Sequence, residues 1–202
     1  MNPVKSVWDM SLETFREVTR TRGTPGCGAV AAVTADLGLA LVLKGLGLSQ
    51  AKAEKKGDET APHQALIERG EALLEALVEH AQEDVEAFEA YMAASKQVEE
   101  DTNRDLQAAV SRINRVPLAI AEVCNDALAL SIKALPLTVD YLQSDIRAGG
   151  RLLHGGLSAV LLSVDANLSS IEDREEQTRL AKSRRGFQQE ADRQLANLEA
   201  RE

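Results

Sequence analysis

From Cys27 to Leu48 the chain has almost no polar side, and charge interrupts the run only at Asp36 and Lys44. A segment that is apolar nearly all round predicts a buried central helix over 27–48. Small residues recur along it, at Ala29, Ala31, Ala32, Ala35, Gly38, Ala40, Gly45 and Gly47. They predict neighbours packed closely against this helix. Just before it, Gly23, Pro25, Gly26 and Gly28 mark a tight turn.

The other segments are amphipathic. Over 11–22, Ser11 is placed as an N-cap with Thr14 behind it, and Leu12, Phe15 and Val18 form a stripe. Trp8 and Met10 are placed to pack as a staple, and Gly23 ends the helix. Residues 50–61 are polar and contain Gly57, which reads as a loop. Pro62 suits the first turn of a long helix running to about Val98. Its stripe is Leu66, Leu73, Leu77, Ala81, Val85, Phe88 and Met92, with Glu68, Glu71, Glu75, Glu79, Glu83 and Glu86 mostly on the solvated face.

Asp84 breaks this division. It falls on the inward face, where a carboxylate is costly unless it is paired or used. Spacing alone leaves two readings open: a stripe-edge carboxylate reaching solvent or an arginine, and a functional group.

A helix over 103–115 follows, and Pro117 either kinks it or starts the next, which runs to about Leu135 before Pro136. Residues 137–147 read as a connector. Ser144-Asp145 reads as the N-cap of a helix over 146–168, whose Gly149, Gly150, Gly155, Gly156 and Ala159 are expected to face the small side of the central helix. Residues 170–202 read as a peripheral charged helix. The pattern predicts an all-α, multihelical fold, with one domain over 1–202 built on a buried Ala/Gly-rich helix.

Composition sharpens this. Aromatic residues are 3% of the chain and hydrophobic residues 44%, so helix is favoured and a large sheet is not. The net charge of −9 argues against nucleic-acid binding. Cys27 and Cys124 are too few for a disulfide framework, which suggests a reducing, cytoplasmic setting. No basic-then-apolar leader precedes the first helix. Asp36, Lys44 and the small residues speak against a membrane span. His63, His80 and His154 show no ligand spacing, so no metal is expected.

The glycine turn is the first candidate site. A helix N-terminus presents unpaired N–H groups and a positive dipole end, ready for an anion or polar ligand. The plainer reading is a turn that enters a core helix and binds nothing, since its spacing matches neither a Walker A loop nor GxGxxG. Cys27 at that terminus has two readings as well: an activated thiol nucleophile, or a small buried residue in a glycine position.

Several stretches together resemble the cyclodeaminase/cyclohydrolase family of folate one-carbon enzymes. The carriers are Thr24-Pro25-Gly26-Cys27-Gly28-Ala29, the run from Asp84 through Phe88 to Met92, Val116-Pro117-Leu118-Ala119-Ile120-Ala121, and Ser144-Asp145 with Ala148-Gly149-Gly150 and Asn167. They occur in family order across about 11–170. The chain departs from the family pattern at Cys27, in the lysine segment represented only by Lys52, Lys55 and Lys56, at Ile146-Arg147, and at Ser163 and Asp165.

The resemblance implies cyclisation of formiminotetrahydrofolate with loss of ammonia, or hydrolysis of methenyltetrahydrofolate. Asp84 and Asp145 are the implied acid/base and orienting carboxylates, without assignment between them. Pro25, Gly26, Cys27, Gly28, Ser144 and Asn167 are implied ligand contacts, and Lys52, Lys96 or Arg147 is expected to meet the anionic tail. The resemblance implies no metal or cofactor. It also supports an intertwined homodimer, which long helices with apolar faces suggest as well. The competing class is a non-catalytic helical module that binds a folate-like ligand or a protein partner.

Overall fold

The computed structural model describes residues 6–96 and 103–200. It contains six α-helices: α1 (Leu12–Thr21), α2 (Cys27–Lys56), α3 (Ala61–Ala94), α4 (Asn103–Ala134), α5 (Gln143–Asn167) and α6 (Arg174–Ala200). Short 3₁₀ turns link some of them, and no strand occurs among the described residues.

α2 is the spine of the fold. It packs on α5, α3 and, over a smaller area, α4. The small residues let backbones approach as their spacing predicts. A Cβ added to Gly38 would stand 2.8 Å from the Gly149 carbonyl oxygen, and one added to Gly156 would stand 2.8 Å from that of Ala31. α2 and α5 therefore run antiparallel with their glycine faces in contact. Leu39, Leu46, Leu77, Ile120, Leu128, Ile146, Leu153 and Leu157 fill the interior with essentially no exposure. Large aliphatic side chains on four helices interlock there, and burying each contributes about 1.5–3 kcal/mol.

The structure corrects several boundaries. α2 continues through 50–56, which the polar composition placed in a loop. Gln50, Ala51, Lys52, Ala53 and Glu54 are good helix formers, and their polarity reflects solvent exposure of the last turns. The stop is Gly57, with φ of 78° and its N–H on the Ala53 and Glu54 carbonyls. α3 ends at Ala94, and the expected end near Val98 lies outside the described residues. Phe88 and Met92, expected on the buried stripe, are each 40% exposed.

Residues 103–134 form one helix with Pro117 inside it. The Ser144-Asp145 cap is also corrected. The 3₁₀ turn Asp140–Leu142 runs directly into α5, so both residues stand in the first helical turn and neither caps it. An aspartate there still faces the positive end of the helix dipole. α1 is capped as expected, with the Thr14 N–H donating to Ser11 Oγ at 3.1 Å. None of its residues is buried, and Leu12 is largely in solvent.

Candidate active site

The turn before α2, the C-terminal third of α3, the proline segment of α4 and the end of α5 enclose a cavity of about 290 Å³. The turn contributes Gly26, Cys27 and Gly28. Asp84 and Phe88 come from α3, Ile113 and Pro117 from α4, and Ser163 and Asn167 from α5.

Asp84 is the one carboxylate in the lining. Its Oδ2 accepts the Ala29 N–H at 2.9 Å. A side chain at Gly28 would occupy the space of the carboxylate, so the glycine is what allows the approach. Burial raises the Asp84 pKa to about 6, and the Ala29 hydrogen bond opposes that rise. One of the N–H groups at the start of α2, that of Ala29, is thereby taken. A carboxylate of the same chain already meets the helix dipole there.

Pro117 shapes the opposite wall. Proline has no N–H, so the carbonyl of Ile113, four residues earlier, lacks its helical partner. Asn167 Nδ2 donates to that carbonyl at 3.1 Å. The sequence pointed to Asn167 and Pro117 separately; a bond spanning 54 residues joins them.

The remaining candidates divide clearly. Pro25 is buried in the turn but is not part of the cavity lining. Cys27 is exposed, and its Sγ–H donates to the Ala159 carbonyl at 3.2 Å. Asp145 pairs with Lys44 at 2.8 Å near the start of α5. Ser163, on the cavity wall, stands eighteen residues further along α5, about 27 Å away at the helical rise. Asp84 and Asp145 therefore do not share a pocket within one chain.

Ser144 is exposed, and Arg147 Nη1 donates to the Leu198 carbonyl at 2.8 Å. Lys52 Nζ lies 5.3 Å from the centre of the Tyr141 ring. Lys96 stands in solvent just beyond α3. None of these cations lines the cavity.

Sequence reasoning missed Phe88 and Ile113 as walls. Ser163 entered only as a departure from the family pattern, and Asp165 turns away to Arg184 at 2.9 Å. Among the described residues no group of three or more His, Cys, Asp or Glu is placed to hold a metal ion. His63 bonds the Leu137 carbonyl, His80 meets Glu83, and His154 meets Asp192.

The arrangement offers one carboxylate of raised basicity, a polar amide wall and an apolar floor. It can take a proton from a bound water or nitrogen near pH 6–7 and can stabilise a cation.

Comparison with known proteins places the chain and its fold. The formiminotransferase-cyclodeaminase family matches residues 11–185. The chain is 30% identical over 172 residues to a methenyltetrahydrofolate cyclohydrolase of Methylorubrum extorquens, covering 81% of this chain and 82% of that protein. It is also 30% identical over 213 aligned positions to the formimidoyltransferase-cyclodeaminase of Sus scrofa, where it spans 39% of the longer protein. The fold matches the crystal structure of a formiminotetrahydrofolate cyclodeaminase from Thermotoga maritima, with a TM-score of 0.83, 22% identity and 96% of each chain covered. The chain belongs to the formiminotransferase-cyclodeaminase family.

Proposed function

We propose that this protein is a folate one-carbon enzyme that hydrolyses the methenyl bridge of methenyltetrahydrofolate, with Asp84 as its general base. The observation that carries the reading is the Asp84 carboxylate, raised to about 6 and fixed by the Ala29 N–H inside a cavity. The bridge carbon of that substrate lies in a delocalised cation between two nitrogens. An ionised Asp84 stabilises this cation and takes a proton as water's oxygen bonds to the carbon. The resulting tetrahedral carbon then loses one nitrogen, which receives the proton back from Asp84. The new carbonyl forms as its hydroxyl proton leaves to solvent.

A carboxyl near pKa 6 suits both halves of this cycle. The cavity is at the small end for ligand sites, so it takes the reacting ring and leaves the tail outside. Gly26, Cys27, Gly28 and Asn167 border the ring, and Pro25 fixes the turn. Asp145, held by Lys44, moves no proton in this reading. Ser144, Lys52, Lys96 and Arg147 stand away from the reacting carbon.

Cyclisation of formiminotetrahydrofolate is the second reading, favoured by the porcine relative's name. It uses the same base and the same kind of tetrahedral carbon. Neither reaction requires a metal or cofactor. Two free thiols support a reducing, cytoplasmic setting. Half-exposed leucines on α2 support a homodimer.

The test is absorbance-monitored hydrolysis of methenyltetrahydrofolate by wild type and Asp84→Asn, with formiminotetrahydrofolate run in parallel. Turnover by wild type and its loss in the folded variant supports the assignment. If wild type is inert toward both folates, the enzymatic reading is overturned in favour of a helical binding module.

A further inference from the structure

Among the described residues, the polar side chains that border the cavity are those of Asp84, Cys27, Ser163 and Asn167. Three of them are engaged within the protein. Asp84 accepts the Ala29 N–H, Asn167 donates to the Ile113 carbonyl, and Cys27 donates to the Ala159 carbonyl. The Ser163 hydroxyl makes no hydrogen bond among the described residues.

A hydroxyl inside a helix has a ready acceptor in the carbonyl four residues earlier. Thr34, Ser49, Ser131 and Thr178 all use theirs, at 2.7–2.8 Å. For Ser163 that acceptor is the Ala159 carbonyl. A carbonyl oxygen has two lone pairs. One receives the Ser163 backbone N–H within α5, and the Cys27 thiol takes the other at 3.2 Å. The thiol reaches it because α2 and α5 lie so close. About one turn along each helix, a Cβ on Gly156 would stand 2.8 Å from the Ala31 carbonyl oxygen. The filled carbonyl leaves the Ser163 hydroxyl to the cavity.

A base in this cavity takes one proton of an attacking water. Held at that proton alone, the water can still turn about the bond. A second acceptor, at its other proton, fixes a lone pair of its oxygen toward the bridge carbon, and rate depends steeply on such alignment. A serine oxygen accepts hydrogen bonds and carries no charge. It therefore holds the water without competing with Asp84 for the proton.

We propose that Ser163 Oγ holds the attacking water by one proton while Asp84 takes the other, and that Cys27 is the positioning residue that keeps this hydroxyl turned into the cavity. This rests on the hydrolytic reading above and names the second polar group of the reaction. The proton held by Ser163 stays on the oxygen in the tetrahedral carbon and is the one that leaves to solvent as the carbonyl forms.

The test is kcat and KM for methenyltetrahydrofolate hydrolysis by Ser163→Ala, Cys27→Ala and the double variant, with folding checked by circular dichroism. Ser163→Ala should lower kcat about tenfold or more and leave KM nearly unchanged. The acid limb of its pH profile should stay where Asp84 sets it. Cys27→Ala frees a lone pair of the Ala159 carbonyl, so the Ser163 hydroxyl should turn onto it. Its kcat should fall by a smaller factor, and a crystal structure of the variant should show the new bond. The double variant should then be no slower than Ser163→Ala alone. Full kcat in Ser163→Ala, or a loss confined to KM, overturns the water-holding role while the folate assignment stands. Losses that multiply in the double variant overturn the part given to Cys27. A wild type inert toward methenyltetrahydrofolate overturns the hydrolytic reading itself, and this inference with it.

Discussion

Asp84 and Asp36 are raised by burial to the same pKa of about 6, but they stand in different settings. Asp84 borders a cavity, accepts a backbone N–H from the first turn of α2, and has Gly28 in front of it. Asp36, on the same helix, is 9% exposed and is not part of the cavity lining. Desolvation alone therefore does not mark a carboxylate as a candidate base. What separates the two is what the fold places beside each: a cavity, a backbone donor and a helix dipole for Asp84, and none of these for Asp36.

The sharpest way to break this comparison is to remove each charge. Asp84→Asn should lower kcat for the folate reaction by about 10²–10⁴-fold, the usual range for losing a positioned base, while circular dichroism stays unchanged. Asp36→Asn, which lies outside the cavity lining, should leave kcat close to the wild-type value in the same assay. A comparable fall in kcat from Asp36→Asn would erase the distinction.

Next in size is Gly28→Ala. Its methyl group must displace the carboxylate from the Ala29 N–H. Overpacking of this kind costs about 1–3 kcal/mol. The expected result is a lowered Tm together with a loss of kcat of roughly tenfold or more, since misplacement of a base is felt directly in the rate. An unchanged rate would mean that Asp84 need not be held where it is.

The pH dependence follows in size. As a base, Asp84 must be ionised, so kcat/KM should be level above its pKa of about 6 and fall about tenfold per unit below it. Stability moves the opposite way. Both carboxyls bind a proton more tightly folded than unfolded, so their contribution is fully present below about pH 4 and is lost as pH rises through 6. For Asp36 this amounts to at most about 3 kcal/mol. Urea unfolding of a monomeric form should show the slope, and Asp36→Asn should reduce it.

The smallest effect concerns the cavity wall. Asn167→Ala leaves the Ile113 carbonyl without its donor and should cost about 1–2 kcal/mol. Adding Pro117→Ala restores a helical N–H to that carbonyl, so the double variant should lose less than the two single losses summed. Strict additivity in thermal melts would show that the two residues are not linked.

The fold was legible wherever one residue class repeated at a helical period. The all-round apolar run made α2 the centre, and the glycines of α5 marked its neighbour. Inward spacing singled out Asp84. What could not be read was anything completed from far along the chain. The partner of Asp84 is a backbone N–H 55 residues away. Pro117 looked like a break because the group that compensates for it is on another helix. The polar end of α2 looked like a loop because composition reports exposure as readily as conformation. Asp145 looked like a partner for Asp84 because sequence carries no scale for the length of a helix lying between two sites.

The bond from Asn167 to Ile113 also ties two walls of the cavity together. An amide has a donating end and an accepting end, and the carbonyl freed by Pro117 takes one of its N–H groups. The side chain that α5 sends into the cavity lining is thereby fixed to α4. A hydrogen missing from one helix thus anchors an amide supplied by another.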